Sequence, residues 1–237
     1  MKYNGFLECE KRWIFRLLMF AGGIYGGYAL TVRGGIFANA QTANLALFAV
    51  NLGTGNWQKA AYYLIPMSSY LAGTIISELM PKPVRRIGLM RWDTLLTLVE
   101  ILVVFALGFI PATAPHQISQ IIISFICAMQ YNTFRQAEGI PMATIFCSDH
   151  LRQLGSSLTK WLRKDDNACQ MGEKALAHAL MLLSFALGVL IAAILSGVTG
   201  IRTIWLALIP LGIVFGDLLR ADLTKEKQLL EMTPRGH

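Results

Sequence analysis

Residues 34–53 read GGIFANAQTANLALFAVNLG, and the fold depends on whether this apolar stretch crosses a membrane. It carries no charged residue and is long enough for a spanning helix, which needs about 20 mostly apolar residues. The whole chain is 54% hydrophobic and only 15% charged, against roughly 25% charged in a typical soluble domain. This composition excludes a disordered chain, a disulfide-rich scaffold and an ordinary solvated enzyme domain.

Six other stretches are long and apolar enough to be predicted as membrane spans. The first is too long and too rich in glycine for a cleaved signal peptide, so we expect it to remain as a span. A weaker stretch, 139–158, contains Asp149, His150 and Arg152 and is not expected to cross. The six predicted spans cover residues 13–32, 59–80, 91–110, 117–134, 175–197 and 201–219.

The distribution of basic residues argues against a seventh span at 34–53. With six spans and a cytoplasmic N-terminus, 18 of the 21 Lys and Arg residues fall on the cytoplasmic side, and only Arg33, Lys59 and Arg202 fall outside. A seventh span would reverse every later loop and leave 6 basic residues inside and 15 outside. Because cytoplasmic loops are enriched in Lys and Arg, six spans with both termini in the cytoplasm are predicted. The net charge of +7 then reflects topology, and no nucleic-acid partner is expected.

An internal repeat appears when the chain is shifted by about 106 residues. Each block then has one span, a short element and two further spans, and TANL at 42–45 falls on SDHL at 148–151. Because three spans per block is an odd number, the two copies must insert in opposite orientations, as in many secondary transporters. We therefore predict an all-α polytopic membrane protein built from two inverted three-helix repeats, each with a short extra helix after its first span. Residues 1–237 form one integral membrane domain, with repeats at about 13–110 and 117–219 and cytoplasmic tails 1–12 and 220–237.

The two short elements, 34–53 and 139–158, are either re-entrant or interfacial. Corresponding short segments in the two halves of an inverted-repeat transporter point to the binding site. Their uncharged polar side chains suit a small polar solute or a cation held among carbonyls, while satisfying the backbone of a broken helix is the alternative. The candidate substrate-path residues, including two amides on the fourth span, are Asn39, Gln41, Thr42, Asn44, Gln130 and Asn132.

Glu100 is the one acidic residue deep within a predicted span. It lies nine residues beyond Arg91, which places it ~13 Å along the helix, near the middle of a hydrocarbon core about 30 Å thick. An ionisable residue at that depth is costly and is a functional hypothesis by default. Glu100 is the candidate for proton coupling; a protonated carboxyl hydrogen-bonded within the bundle is the alternative.

Small residues recur at every fourth position of the second and fifth spans. Such spacing lets helix backbones approach closely in lipid, where packing drives association. The two ladders pack either within one chain or at a seam between two subunits, and the second alternative makes them candidates for dimer packing. The residues are Ser69, Gly73 and Ser77 in one span and Ser184, Gly188, Ala192 and Ser196 in the other.

Neither metal nor enzyme chemistry is indicated. The four cysteines show no CxxC spacing, and the four histidines cluster neither with each other nor with the cysteines. The sequence lacks a nucleophile elbow, an HExxH motif, a P-loop and a GxGxxG motif opening a helix. We therefore expect no catalytic residue, no metal and no cofactor.

Two motifs carry a resemblance to a known family. GGIFANAQTANL at 34–45, followed by a short apolar helix, and CAMQYNTFR at 127–135 resemble the two signatures of the YoaK-like family of bacterial inner-membrane proteins, over nearly the whole chain. The family looks like one six-helix half of a major-facilitator transporter, which implies a homodimer, with helices two and five facing the partner and helices one and four lining the cavity. The chain departs from the pattern at Gly26, where the family usually has Asp, at Ala43, where it has Gly, and at Ser148-Asp149, where it has Thr-Gly.

These observations predict a small-solute permease or secondary transporter of the bacterial inner membrane that works as a homodimer. The alternative is a membrane scaffold or regulatory protein that transports nothing and binds a partner or lipid. The expected partners are the lipid bilayer, a second copy of the chain and an unknown small solute.

Overall fold

The computed structural model describes residues 5–35, 38, 41–164 and 167–235. Within these ranges the chain is almost entirely helical. A two-residue hairpin, β1 (Gln136–Ala137) with β2 (Ile140–Pro141), pairs Gln136 with Pro141 and Ala137 with Ile140 in antiparallel register. Short 3₁₀ segments lie at Glu8–Glu10, Gly200–Ala207 and Lys227–Leu229. The α-helices are α1 (Arg12–Val32), α2 (Gln41–Gly53), α3 (Trp57–Leu79), α4 (Pro81–Ile87), α5 (Trp92–Leu107), α6 (His116–Thr133), α7 (Cys147–Leu162), α8 (Ala168–Thr199) and α9 (Leu208–Leu223).

A helix lies at each stretch that the apolar pattern predicts to be helical. The last predicted span begins with the 3₁₀ segment Gly200–Ala207 and continues as α9. Gly200, at the end of α8, has a φ of +53°, a conformation that glycine adopts readily. The second short element is only partly helical, since the hairpin and a loop precede α7. The prediction of an all-helical chain is confirmed apart from this hairpin.

Helix α1 is the centre of the bundle. Most of its side chains are buried, and it packs mainly on α8, with further contacts to the 3₁₀ segment Gly200–Ala207 and to α9. Its glycine-rich middle permits this position, because residues without side chains allow neighbouring backbones to approach closely. Helices α5 and α9 pack on each other beside it.

The contacts between helices follow a repeated pattern. The main contact of α1 with α8 has its counterpart in the contact of α6 with α3, and α2 packs on α3 as α7 packs on α8. The smaller contact of α1 with α9 corresponds to that of α6 with α5. Helix α2 begins at Gln41 and α7 at Cys147, a separation equal to the shift found in the sequence.

The polar and apolar faces of α2 are reversed relative to those of a surface helix on a soluble protein. Its two buried residues are Asn44 and Asn51, while its leucines and valine face outward. A surface helix of a soluble protein turns its apolar stripe toward the core instead. Large apolar side chains are also exposed along α3, α5 and α8, including Leu71, Leu102 and Ile194.

Among the described residues, two helical segments are long and apolar enough to cross a membrane. They are Arg12–Val32, which is mostly buried, and Ala168–Leu223, which joins α8, the 3₁₀ segment and α9 and is mostly exposed. Helix α5 has 16 residues, or about 24 Å, and is shorter than the hydrocarbon core of a bilayer.

Candidate functional site

Glu100 lies buried inside the helix bundle. The side chain on α5 is 1% exposed, and neither carboxyl oxygen has a hydrogen-bond partner among the described residues. It interacts electrostatically with the Tyr25 hydroxyl on α1 and the Cys127 thiol on α6. The Tyr25 hydroxyl also has no hydrogen-bond partner in the described part of the chain. Three helices therefore bring three protonatable side chains together away from solvent.

The surroundings of Glu100 favour its neutral form. Moving an ionised carboxylate out of water is expensive unless a cation or several hydrogen-bond donors compensate for the lost hydration. No ion pair to Glu100 occurs within the described ranges. A buried neutral carboxyl can release its proton, and take one up again, when water or a polar ligand reaches it.

The predicted polar residues of the first short element form one small network. Gln41 Nε2 donates to the Ala38 carbonyl oxygen at 3.2 Å and to Ser124 Oγ at 3.3 Å, and Ser124 Oγ also donates to Ala38. Asn44 Nδ2 donates to Gln41 Oε1 at 3.0 Å, while Asn44 Oδ1 is buried and has no partner among described residues. Thr42 is exposed, and Asn39 lies outside the described residues. This network fastens the start of α2 to α6.

The two amides on α6 do not join that network. Gln130 is fully buried; its Nε2 donates to the Leu18 carbonyl at 3.4 Å, and its Oε1 has no partner in the described structure. It lies one turn beyond Cys127 on α6. Asn132 instead donates to Ser77 Oγ at 2.8 Å and to Glu78 at 3.0 Å. Gln130 therefore belongs with the centre of the bundle, whereas Asn132 tethers the end of α6 to α3.

The most buried members of the small-residue ladders contact helices of the same chain. Gly188 and Ala192 of α8 lie against Gly23 and Gly27 of α1, and Gly73 of α3 lies against the Phe125 carbonyl of α6. The hydroxyls are likewise bonded within the chain: Ser69 to the Ile121 carbonyl at 2.9 Å, Ser77 to Thr74, Ser184 to Leu180 and Ser196 to Ala193. Gly73, Gly188, Ala192 and Ser69 thus contact a neighbouring helix of the same chain, whereas the hydroxyls of Ser77, Ser184 and Ser196 bond to carbonyls of their own helices.

Arg33, predicted to lie in an outer loop, is fully buried. Its Nε donates to the Tyr28 hydroxyl at 2.7 Å, and its two terminal nitrogens donate to the carbonyls of Pro111 at 3.1 Å and Ile110 at 2.6 Å. The Arg33 carbonyl in turn accepts from Gln120 Nε2 at 2.9 Å. This one residue joins the ends of α1 and α5 to α6. Arg33 and Tyr28 are five residues apart in the sequence, and no motif there indicates that they meet.

The expectation that the histidines do not cluster is wrong for two of them. His150 of α7 and His178 of α8 are fully buried, and their Nδ1 atoms are 2.8 Å apart. His150 Nε2 lies 2.7 Å from the Ala143 carbonyl oxygen and must donate to it, so Nδ1 of a neutral His150 accepts a hydrogen bond from the Nδ1–H of His178. Burial lowers the pKa of His150. A separation of 28 residues in sequence carries no motif that would reveal the pair, and no group of three possible metal ligands occurs among the described residues.

A group of buried charges that was not predicted lies at the start of α5, at the end away from Arg33. Arg91 is buried and forms ion pairs with Glu226 at 3.1 Å and with Asp222 at 3.6 Å. Asp222 also accepts from the Arg91 backbone N–H and from the Thr94 hydroxyl. Burial raises the pKa of Glu226, while Arg91 opposes that change. These acidic partners come from the C-terminal end of the chain, and Asp222 is 131 residues from Arg91 in sequence.

Comparison with known proteins yields one match. The family model described as "Protein of unknown function (DUF1275)" matches residues 14–216, a range that includes Glu100, Tyr25, Gln130 and the histidine pair. No curated protein matches the chain, and no solved structure matches it.

Proposed function

This chain belongs to the DUF1275 family, whose function is unknown, and we propose that it is a small-solute permease or secondary transporter of the bacterial inner membrane. The observation that carries the proposal is the buried Glu100 carboxyl, which shares the centre of the bundle with the Tyr25 hydroxyl and has no hydrogen-bond partner among described residues. Within a packed bundle such a group lowers the stability of the fold. Proton binding coupled to solute movement is a function that would explain why it is retained. Within the family, the motifs at 34–45 and 127–135 support a YoaK-like member.

The proposed architecture is six spans in two inverted repeats. The helices α1, α3, α5, α6, α8 and α9 are the proposed spans, and α2 and α7 are the short elements that follow the first span of each repeat. The interchanged contacts support this arrangement, since α1 packs on α8 as α6 packs on α3. The outward leucines of α2 support contact with lipid, because an apolar face directed away from the protein needs an apolar surrounding.

In this proposal Glu100 is the proton-binding group and Gln130 contributes to the solute path. Gln130 Oε1 and Asn44 Oδ1 are buried acceptors without partners among described residues, and a polar solute would satisfy them. Glu100 exchanges its proton when the path to it opens to water on one side.

A carbodiimide labelling experiment tests the state of Glu100 without a known solute. Dicyclohexylcarbodiimide reacts with protonated carboxyls in apolar surroundings, and the product is located by mass spectrometry of the purified full chain in liposomes. We expect labelling at Glu100, loss of that label in Glu100→Gln, and an unchanged pattern in Glu173→Gln, which removes an exposed carboxyl. Absence of label at Glu100 across the pH range would contradict a neutral, proton-exchanging carboxyl.

Transport itself is tested in proteoliposomes that contain a pH-sensitive dye. A panel of small uncharged polar solutes is added outside, and proton movement that follows a solute identifies coupling. We expect the Glu100→Gln variant to lose the solute-dependent proton movement while the Glu173→Gln variant retains it. Solute uptake with the same pH dependence in the Glu100→Gln variant would remove Glu100 from the mechanism.

The proposed homodimer is tested by cysteine crosslinking. Cys169 is the exposed native thiol among the four cysteines, so the experiment uses a Cys169→Ser background. Leu187 and Ile194 are exposed on α8, and Leu102 is exposed on α5. If α8 faces the partner, Leu187→Cys and Ile194→Cys crosslink in membranes and Leu102→Cys does not. Equal crosslinking at all three positions would indicate random collision instead of a defined seam.

A further inference from the structure

A cleft of about 250 Å³ opens where α3 and α6 end and where α4 and α5 begin. The C-terminal segment 230–234 forms its remaining wall. The volume is close to the lower end of the range for small-molecule sites. The cleft lies at the end of α5 away from Arg33 and does not include Glu100, Gln41, Asn44 or Gln130, so it is separate from the proposed transport path.

Arg91 lines this cleft and has a buried hydrogen-bond donor without a partner among the described residues. Its side chain is 4% exposed, and its Nη2 is occupied by Glu226 at 3.1 Å and by the Leu229 carbonyl at 3.2 Å. Its Nε lies 3.6 Å from Asp222. Its Nη1 has neither a hydrogen bond nor an ion pair among the described residues. A buried guanidinium donor without an acceptor costs free energy, and a ligand oxygen that reached Nη1 would remove that cost.

Two further cations line the same cleft. Lys82 is exposed, and Arg85 is half-buried and donates to Thr233 Oγ1 at 2.9 Å. Neither forms an ion pair within the described part of the chain. Since the charge of Arg91 is already balanced by Asp222 and Glu226, Lys82 and Arg85 supply the positive charge that an incoming ligand would meet.

The carboxylates that face the cleft are engaged elsewhere. Glu78 accepts from Arg135 at 2.8 Å and from Asn132 at 3.0 Å. Asp93 is buried and interacts with Arg91 and with the Cys9 thiol. Both carboxylates therefore already have a cationic neighbour, whereas Lys82 and Arg85 have none among the described residues, which favours an anion over a cation as ligand.

The rest of the lining is mainly apolar. Leu230, Met232 and Pro234 come from the C-terminal segment, and Trp92 contributes a ring whose Nε1 is satisfied by Thr133 Oγ1 at 2.8 Å. Arginine matches the tetrahedral oxygens of phosphate through paired hydrogen bonds, while lysine acts as a point charge. We propose that this cleft binds a phosphate ester, with the phosphate on Arg91, Arg85 and Lys82 and the apolar part of the ligand against the C-terminal segment.

Two kinds of ligand carry a phosphate ester that would fit this cleft. The ligand is either the headgroup of an anionic phospholipid or a soluble phosphate monoester, and the experiment separates them. The full chain in detergent is titrated with inorganic phosphate and with glycerol phosphate at constant ionic strength. In parallel it is placed in nanodiscs of phosphatidylcholine alone or of phosphatidylcholine mixed with phosphatidic acid. A rise in the thermal unfolding midpoint reports binding to the folded state in each arm.

The variants are chosen to remove cleft cations without disturbing buried ion pairs. The double variant Lys82→Gln/Arg85→Gln is compared with Arg86→Gln, which removes an exposed cation from the same short helix but outside the cleft. We expect the double variant to bind about tenfold or more weakly, since each lost charge-assisted hydrogen bond weakens affinity by roughly that factor. Arg86→Gln should bind as the natural chain does.

Each outcome decides the proposal. Binding of glycerol phosphate that depends on Lys82 and Arg85 supports a soluble ester, and stabilisation confined to phosphatidic acid nanodiscs with the same dependence supports a lipid headgroup. No binding in either arm overturns the proposal. Equal weakening in the double variant and in Arg86→Gln also overturns it, because it would reflect general charge attraction. None of these readouts requires a transported solute.

Discussion

Replacing Gly188 by alanine tests the closest approach between two helices in the structure. Gly188 of α8 lies against α1, and a methyl group at this position would lie 2.2 Å from the Phe20 carbonyl oxygen and 3.0 Å from Gly23 Cα. Ordinary contacts of this kind are about 3.5 Å or longer, so α1 and α8 must separate by about 1 Å. Because α1 is the most buried helix, the separation disturbs the centre of the bundle.

The expected cost follows from two opposing effects. Overpacking a well-packed core costs about 1–3 kcal/mol, and the absence of any flexible side chain at this crossing places Gly188→Ala at the upper end. Alanine in place of glycine within a helix stabilises the helix by about 1 kcal/mol. The net loss is about 2 kcal/mol. Gly197→Ala, in the same helix but with no atom within 4 Å of the added methyl group, should gain about 1 kcal/mol.

Thermal unfolding of both variants in mild detergent measures the difference. A gap of about 3 kcal/mol corresponds to roughly 6–12 °C in unfolding midpoint for a chain of this size, with Gly188→Ala the less stable. If Gly188→Ala unfolds at the same temperature as Gly197→Ala, the close contact with α1 is not present. If it alters only cysteine crosslinking between copies, the ladder on α8 faces a partner subunit.

Two further substitutions test buried groups outside the centre. Arg33→Gln removes the hydrogen bonds from the guanidinium to the Tyr28 hydroxyl and to two carbonyls, and it should lower the free energy of unfolding by about 3 kcal/mol. The control Arg202→Gln, at an exposed residue, should change that free energy little. Equal effects of the two substitutions would contradict the assigned contacts. Because burial lowers the pKa of His150, its contribution to stability is present above the ordinary histidine value of about 6.5 and is lost as pH falls through the lowered pKa. The midpoint temperature of thermal unfolding should therefore fall more for the natural chain than for His150→Gln between about pH 8 and pH 5. Parallel pH profiles would refute a neutral buried histidine.

The local sequence pattern was sufficient to predict where the helices lie and that Glu100 is buried. Hydropathy acts over a few neighbours, so the apolar stretches could be interpreted without knowing their partners. The depth of Glu100 follows from its distance to Arg91 along one helix. These features depend on the sequence near each residue.

The contacts between helices could not be predicted in the same way. Small residues at every fourth position show that a helix packs closely, but they do not show which helix it meets, and both alternatives were open for Gly188. His150 and His178 meet because α7 folds back on α8, and Arg91 meets Glu226 because the C-terminal segment returns to α5. Such pairs depend on long-range packing, which carries no local signal.

The packing of α1 on α8 has a consequence for how the chain is made. Helix α1 ends at Val32 and its main partner begins at Ala168, so the ribosome must add well over a hundred residues before the two can meet. At about 5–20 residues per second the first helix waits roughly 10–30 s with its glycine-rich face uncovered. The contact that completes the bundle is therefore among the last to form during biosynthesis, and a nascent chain stopped before α8 would be a substrate for quality-control proteases.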